Sequence, residues 1–159
     1  MAASPQLSEV RLRVRDPQAQ TRFYIEVLGM RDLGGGRIGY APAEAGLRFL
    51  PAEGDYAAGS HDLYWKIALA VPNIDLACAQ LADRGVAMAT PPAQFVDVGH
   101  LADFEDPEGF LVELIDHWFE GDRPADAPIN DARLGGGAHL DLMTLRTNAV
   151  AAAKRAALV

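Results

Sequence analysis

The sequence is short of cysteine, of basic residues and of long hydrophobic runs. Its 159 residues include a single cysteine, Cys78, which excludes an internal disulfide framework and predicts a reducing compartment. Cys78 lies in an alternating Ala/Leu pattern, so we expect a small buried hydrophobe there. No stretch of the sequence is long and apolar enough to span a membrane. The opening MAASPQLSEV has no basic start followed by an apolar stretch, so we expect a cytoplasmic protein.

The deficit of positive charge argues against nucleic acid and anionic membranes as partners. Lys and Arg total 14 against 22 for Asp and Glu, which gives a net charge of -8. Such a balance disfavours nucleic acid and anionic membranes as partners. The glycine-rich stretches LGGGR and LGGGAH are not at a strand-to-helix turn followed by Lys-Ser/Thr, so they do not predict phosphate binding. The length suits one compact domain, with a terminal appendage.

What the sequence does contain is an internal repeat. One copy, EVRLRVRDPQAQTRFYIEVLGM, starts at Glu9, and the other, KIALAVPNIDLACAQLADRGVAM, starts at Lys66. Each copy opens with an alternating strand pattern, and Asp16 or Asn73 then makes a good helix N-cap. Apolar residues at helical spacing follow in both copies, and each predicted helix finishes at a glycine. Further strand-like stretches are 37–41 and 47–50 in the first copy and 95–104 and 110–116 in the second.

These motifs, taken in order, resemble the vicinal oxygen chelate superfamily, which includes glyoxalase I, extradiol dioxygenases, and fosfomycin and bleomycin resistance proteins. The stretches VRLRVRDPQAQTRFYIEVLGM and FEDPEGFLVEL carry the resemblance, which covers about residues 7–117. It implies an α+β fold in which two βαβββ modules, at about 7–53 and 64–117, form a curled, cup-shaped mixed sheet with helices outside. It also implies a homodimer, because the family commonly pairs subunits edge to edge.

Beyond the modules, the composition changes. The stretch FEGDRPADAPINDARLGGG is rich in Pro, Asp and Gly and predicts a linker over 118–138. Residues 139–159 then read as a strand that runs into an Ala-rich helix, like the opening of a third module. Such a short helix is not stable alone, so it has to dock on the domain or on a partner subunit. The alternative is a remnant of a longer, multi-module ancestor.

The resemblance also assigns four inward positions where metal-binding members of the family hold their ion. Here these positions are Glu9, Arg48, Lys66 and Glu113, and strand parity turns all four away from the predicted helices. An Arg guanidinium cannot donate a lone pair, and Lys does so only after a costly deprotonation. We therefore expect no metal and no other cofactor. Instead, we expect the four charges to lie close together and to form carboxylate–cation contacts.

The charges favour a protein that binds a small anionic or aromatic molecule. Parity places Arg11 and Arg13 on the face of Glu9, which leaves an excess of positive charge in the cup. The opposing interpretation is internal pairing of the charges with no ligand. Besides Tyr40, the aromatic side chains of Phe49 and Trp65 could stack on a ligand. The candidate ligand-binding residues are Glu9, Arg11, Arg13, Tyr40, Arg48, Lys66 and Glu113.

The alternative function is a lyase or dioxygenase of the same superfamily. A metal-dependent enzyme would need a different ligand set, for example Glu113 with His100 and His139. A metal-free enzyme would use Lys66 or His100 as its acid–base group, with Arg48 steadying a developing oxyanion. The sequence does not decide whether any reaction is catalysed.

Overall fold

A computed structural model of the chain describes residues 7–55, 64–95, 99–116 and 133–145. Within these ranges the fold is α+β, with two mixed sheets of four and five strands, two α-helices and no closed barrel. None of the described helices has the length and apolar composition needed to cross a membrane. In chain order the elements are β1 (Glu9–Val14), α1 (Pro17–Glu26), β2 (Arg31–Asp32), β3 (Ile38–Gly39), β4 (Gly46–Pro51), β5 (Tyr64–Ala70), α2 (Ile74–Asp83), β6 (Met88–Phe95), β7 (Gly99–Glu105), β8 (Leu111–Asp116), a short 3-10 helix (Leu134–Gly136) and β9 (His139–Leu145).

The predicted repeat is present as two βαβββ modules. In each module the first and last strands are parallel neighbours, β1 beside β4 and β5 beside β8. The other strands of each module are antiparallel, so the order β1-β4-β3-β2 recurs as β5-β8-β7-β6. Parallel neighbours require a crossover connection, and α1 or α2 forms part of it in each module.

Both helices begin at the residues that the sequence predicts. The Asp16 carboxylate accepts hydrogen bonds from two backbone N–H groups in the first turn of α1. The Asn73 side chain accepts one from the backbone N–H of Leu76 at 3.0 Å. These bonds satisfy donors that a helix start leaves free. Gly29 and Gly85 follow the helices with φ of 75° and 79°, a conformation that glycine adopts without strain.

Two strand predictions were wrong in extent. The stretch 95–104 was predicted as one strand, but it contains the end of β6 and most of β7. The sequence did not predict β6, because Pro91 and Pro92 cannot donate to a sheet ladder. The structure tolerates them because β6 is an edge strand with register shifts against β7. In the first module the predicted stretch 37–41 shortens to Ile38–Gly39.

The hydrophobic sides of the two modules form one core. Tyr24 of α1 packs on Phe49 of β4, with ring centroids 5.0 Å apart. Phe23 of the same helix lies 6.4 Å from Phe104 of β7. The first helix therefore contacts both sheets, and burial of these rings contributes to stability across the two modules.

The described part of the C-terminal region packs on both modules. Arg133 forms an ion pair with Glu44 of the first module at 3.2 Å and lies over the ring of Tyr40 at 5.3 Å. Leu134 is buried, and the backbone N–H of Gly135 donates to the Gln80 side chain of α2 at 2.8 Å. Residues 133–138, which belong to the predicted linker, are therefore packed against the domain.

A strand is present where the sequence of the tail reads as one. This strand, β9, pairs antiparallel with β5 on the side away from β8. The helix predicted after it falls in residues 146–159, outside the described ranges, as do residues 118–132 of the predicted linker.

Candidate functional site

A cluster of charged side chains is centred on Glu9 at the start of β1. The Glu9 carboxylate accepts a hydrogen bond from Nε of Arg11 at 2.5 Å and from Nε of Arg48 at 3.0 Å. Glu9 and Arg11 share a face because they are two residues apart on a strand, and parallel pairing sets Arg48 opposite Arg11. The hydrogen bonds from Arg11 and then Arg48 hold the pKa of Glu9 below its ordinary value.

The Glu9 cluster (Glu9, Arg11 and Arg48) carries a net positive charge, because one carboxylate faces two guanidinium groups. The side chains of Arg11 and Arg48 are 66% and 31% exposed, whereas that of Glu9 is 13% exposed. Since each guanidinium has five N–H donors, both retain N–H groups beyond those that contact Glu9. Arg13 lies on the same face and is also exposed, 3.4 Å from Glu53.

The second pair joins Lys66 of β5 to Glu113 of β8. The Lys66 ammonium contacts the Glu113 carboxylate, and the two side chains are 14% and 9% exposed. Ala68 stands opposite Glu113 in the parallel ladder, so Lys66, two residues earlier, lies on the same face. Glu113 is therefore a buried carboxylate with a cationic partner, which removes much of the cost of burying it.

These two charged groups lie on different sheets. The first sheet contains β1, and the second contains β5, and no backbone pairing joins these sheets in the part of the chain that the structure describes. The contacts of Glu9 with Arg48 and of Lys66 with Glu113 are present. Convergence of all four side chains in one cup stays a prediction.

The four family positions do not fit a metal ion. Arg48 has no lone pair to donate, and the Lys66 ammonium is engaged with Glu113. Across residues 7–55, 64–95, 99–116 and 133–145, no three His, Cys, Asp or Glu side chains group so as to hold an ion. The alternative set of Glu113 with His100 and His139 is not assembled there. Antiparallel pairing sets Asp103 opposite Glu113, and His100, three residues earlier, has the opposite parity.

Two of the aromatic candidates, Tyr40 and Phe49, lie away from the charged faces. Tyr40 is buried in the core, where its hydroxyl donates to the backbone carbonyl of Leu28 at 2.7 Å. Burial raises the pKa of this hydroxyl above its ordinary value. Phe49 packs on Tyr24, on the helix side of β4. The side chain of Trp65 lies outside the described part of the chain.

Sequence reasoning missed the role of Asp106 in the turn between β7 and β8. Its carboxylate accepts hydrogen bonds from Gln20 Nε2 at 2.5 Å and from the Tyr24 hydroxyl at 2.9 Å, both on α1. It also accepts from the backbone N–H groups of Glu108 and Phe110, at 3.0 Å each. Burial raises the pKa of Asp106 to about 6, although the four donors act against this rise.

Glu108, in the same turn, holds the start of α1. Its carboxylate accepts from the backbone N–H groups of Arg15 at 2.9 Å and Asp16 at 3.2 Å, and from Nε of Arg15 at 3.2 Å. Burial alone would raise the pKa of Glu108, but these donors hold it below its ordinary value. Asp106 and Glu108 of the second module thus form hydrogen bonds with α1 and the two residues before it in the first module. No sequence signal marks them, because an Asp-Pro-Glu-Gly turn is ordinarily solvated.

Several solved structures share this fold. One is TnmS3, an antibiotic binding protein from Streptomyces sp. CB03234, at 24% identity and a TM-score of 0.57, covering 74% of this chain and 100% of that one. Another is a glyoxalase/bleomycin resistance protein/dioxygenase from Nocardioides, at 21% identity and a TM-score of 0.59, covering 79% of this chain and 91% of that one. A third is the trypanothione-dependent glyoxalase I of Leishmania major, at 22% identity and a TM-score of 0.55, covering 72% of this chain and 88% of that one. Identities this low show the fold alone.

Family membership rests on a different match. No curated protein matches the chain. The family model of the Glyoxalase/Bleomycin resistance protein/Dioxygenase superfamily matches residues 6–114, which is more than half of the chain. The matched range contains both charged groups and both modules except the last two residues of β8. The chain therefore belongs to the glyoxalase/bleomycin resistance protein/dioxygenase superfamily.

Proposed function

We propose that this protein binds a small anionic molecule through Arg48 and Arg11, with charge pairs in place of the family's metal. The observation that carries the proposal is the Glu9 cluster, where one carboxylate is shared by two partly exposed guanidinium groups. The surplus positive charge attracts an anion although the protein is acidic overall. One structure with this fold is that of an antibiotic binding protein, which supports small-molecule binding as the use of the fold.

Arg48 is the residue best placed to recognise a carboxylate or phenolate. Its bonds to Glu9 fix the guanidinium plane, and a planar guanidinium binds carboxylates through paired N–H groups. Gly35 and Gly36 lie beside it, and a Cβ atom added at either would be 3.9 Å from its Nη atoms. Because these residues have no side chains, they leave the guanidinium accessible from that side.

The test is ligand-induced thermal stabilisation. Aromatic and aliphatic carboxylates at about 100 times their Kd should stabilise the protein by about 2.7 kcal/mol, a shift of several degrees in Tm. The Arg48→Ala variant should lose the shift. Arg22→Ala, a change at an exposed arginine of α1, is the matched control and should retain it. A shift that persists in Arg48→Ala, or no shift with any member of a broad panel, would contradict the proposal.

A second candidate function is metal-free acid–base chemistry at Lys66. The supporting observation is its contact with Glu113, which places a nitrogen donor and a carboxylate acceptor together on one face of the second sheet. His100 has the parity of the opposite face, so the role would fall to Lys66. Mass spectrometry of compounds that stabilise the protein, recovered after incubation, tests this candidate. Chemical change that Lys66→Met abolishes would favour an enzyme, whereas unchanged compounds would favour binding alone.

A further inference from the structure

Glu9 leaves free the end of the Arg48 guanidinium that Nη1 and Nη2 form. One carboxylate oxygen of Glu9, Oε2, accepts a hydrogen bond from Nε of Arg48 at 3.0 Å and lies 2.9 Å from Nη2. These two contacts occupy the side of the guanidinium, so two N–H groups on Nη1 and one on Nη2 are left over. No other group in the described part of the chain accepts from them. One N–H group on each of these nitrogens belongs to the parallel pair that matches a planar carboxylate.

The neighbouring arginines offer no equivalent end. Nη1 and Nη2 of Arg37 donate to the backbone carbonyls of Ser8 and Pro42, at 3.4 and 3.1 Å. Arg11 is held at Nε alone, and its side chain is 66% exposed. Arg48 is held at two nitrogens and is less exposed, so binding an anion costs it less side-chain freedom.

The glycine loop between β2 and β3 lies beside the free end of Arg48. A Cβ atom added at Gly35 would be 3.9 Å from Nη2, and one added at Gly36 would be 3.9 Å from Nη1. A carboxylate oxygen bound to either nitrogen lies about 2.8 Å from it. A side chain at either position would therefore crowd an anion bound at this end.

The same loop has a fixed shape that favours glycine. The N–H of Gly34 donates to Asp32 Oδ1 at 2.8 Å, and the N–H of Arg37 donates to the carbonyl of Gly34 at 3.1 Å. Gly34, Gly35 and Gly36 have φ of 91°, 63° and 80°, where other residues are strained. Nothing lies within 4 Å of a Cβ atom added at Gly34. The backbone requirement is thus common to all three glycines, whereas only Gly35 and Gly36 are next to the guanidinium.

We propose that Nη1 and Nη2 of Arg48 bind a carboxylate through two parallel hydrogen bonds, and that Gly35 and Gly36 determine specificity by leaving room for it. This inference rests on the proposed function and narrows the ligand from anions in general to carboxylates. A carboxylate brings one oxygen to each nitrogen, whereas a phenolate presents a single anionic oxygen to both.

The experiment titrates the full chain at neutral pH with pentafluorobenzoate and pentafluorophenolate, two aromatic anions with two charged oxygens and one. Nuclear magnetic resonance of the backbone amides measures binding. Pentafluorobenzoate should shift the amides of Gly35 and Gly36 to saturation, with a Kd at least about tenfold below that of pentafluorophenolate. Arg48→Lys keeps the charge but loses the paired N–H groups, so it should raise the Kd of pentafluorobenzoate at least about tenfold.

Three alanine variants of the loop separate crowding from backbone strain. Gly35→Ala and Gly36→Ala should each raise the Kd of pentafluorobenzoate at least about tenfold. Gly34→Ala is the matched control, because it carries the same left-handed strain without a Cβ contact, and it should keep the Kd within about twofold. If the first two variants do not fold, the amide shifts and Arg48→Lys decide the matter.

The outcomes separate this inference from the proposed function. Binding that Arg48→Ala abolishes but Gly35→Ala and Gly36→Ala leave unchanged would overturn the inference alone. Equal Kd values for the two anions, no binding of pentafluorobenzoate, or an equal effect of Gly34→Ala would also overturn it. Binding that persists in Arg48→Ala would overturn the proposed function as well.

Discussion

Lys66 and Glu113 stabilise the second sheet only as a pair, because each is largely buried and Glu113 has Lys66 as its cationic partner. Lys66→Met should lower the free energy of unfolding by about 3 kcal/mol, since it leaves a buried carboxylate without compensation. Adding Glu113→Gln should recover part of that loss. Urea unfolding of the two single variants and the double variant measures the coupling directly.

The exposed pair Arg13–Glu53 is the control for this comparison of single and double variants. Its side chains are 60% and 89% exposed, so solvent screens the interaction, and the coupling should be about 0.5 kcal/mol or less. Equal coupling in the two pairs, or strict additivity of the changes at Lys66 and Glu113, would contradict a buried pair.

Asp106 should make stability depend on pH in the direction opposite to most carboxyl groups. Burial raises its pKa in the folded protein to about 6, from an ordinary value of 3.8. The folded state therefore binds the proton more tightly than the unfolded state. The stabilising contribution is fully present below pH 3.8 and is lost as the pH rises through 6.

Asp106→Asn isolates this contribution, because an amide does not titrate. The free energy of unfolding of the original protein minus that of the variant should fall by up to about 3 kcal/mol between pH 4 and 7. Denaturant titrations at several pH values measure this difference. Glu9 and Glu108, whose lowered pKa values act in the opposite sense, are present in both proteins and cancel. A difference that stays constant over this range would contradict the assignment.

Strand parity found the charged residues but not the aromatic ones. Glu9 and Glu113 each stand in an alternating strand, so parity predicts the face of each residue, and the structure shows each carboxylate in contact with a cation. Tyr40 follows a two-residue strand, where no period assigns a face, and the structure places it in the core. The sequence assigns His100 no definite face, because it reads there as a strand or a loop, and the pairing of β7 with β8 gives it the parity opposite to that of Glu113.

At the scale of elements, the C-terminal segment is held by close packing at Gly135. A Cβ atom added there would lie 2.9 Å from the Asn73 carbonyl oxygen and 3.0 Å from the Cβ atoms of Ala77 and Val71. Gly54 has nearly the same φ, 62° against 61°, but nothing lies within 4 Å of its added Cβ. The two glycines therefore differ in packing and not in backbone conformation.

This difference gives a matched pair of substitutions. Gly54→Ala should cost about 1 kcal/mol, the strain of a left-handed alanine. Gly135→Ala should cost about 3 kcal/mol, because overpacking adds to the same strain. Thermal and urea unfolding measure both values. Equal costs would show that the segment before β9 does not pack tightly on α2.

Elements with a strong local signal were predictable, and those fixed by distant contacts were not. The helix starts followed from Asp16 and Asn73, whose side chains act within one turn. The sequence could not show that Gln20 of α1 would be buried, because its partner, Asp106, is 86 residues away. For the same reason, the packing of residues 133–138 on α2 was not foreseen from their composition.

At the scale of the whole molecule, the repeat predicted two modules but not how they join. Phe23 of the first module packs on Phe104 of the second. The hydroxyl of Tyr24, also in the first module, donates a hydrogen bond to Asp106 of the second. A single core that crosses the module boundary predicts one cooperative unfolding transition. Tryptophan fluorescence and far-ultraviolet circular dichroism should therefore report the same urea midpoint.

Glu108 should help to hold the two modules together although it lies outside the hydrophobic core. Glu108→Ala removes the acceptor for the backbone N–H groups of Arg15 and Asp16 and leaves them short of partners at the start of α1. We expect a loss of about 2 kcal/mol in the free energy of unfolding, with the single transition retained because the shared core persists. Glu105→Ala, an exposed change at the end of β7, should cost less than about 0.5 kcal/mol. Separate midpoints for the two probes in the original protein would contradict the shared core, and equal costs for the two variants would contradict a role for Glu108 in joining the modules.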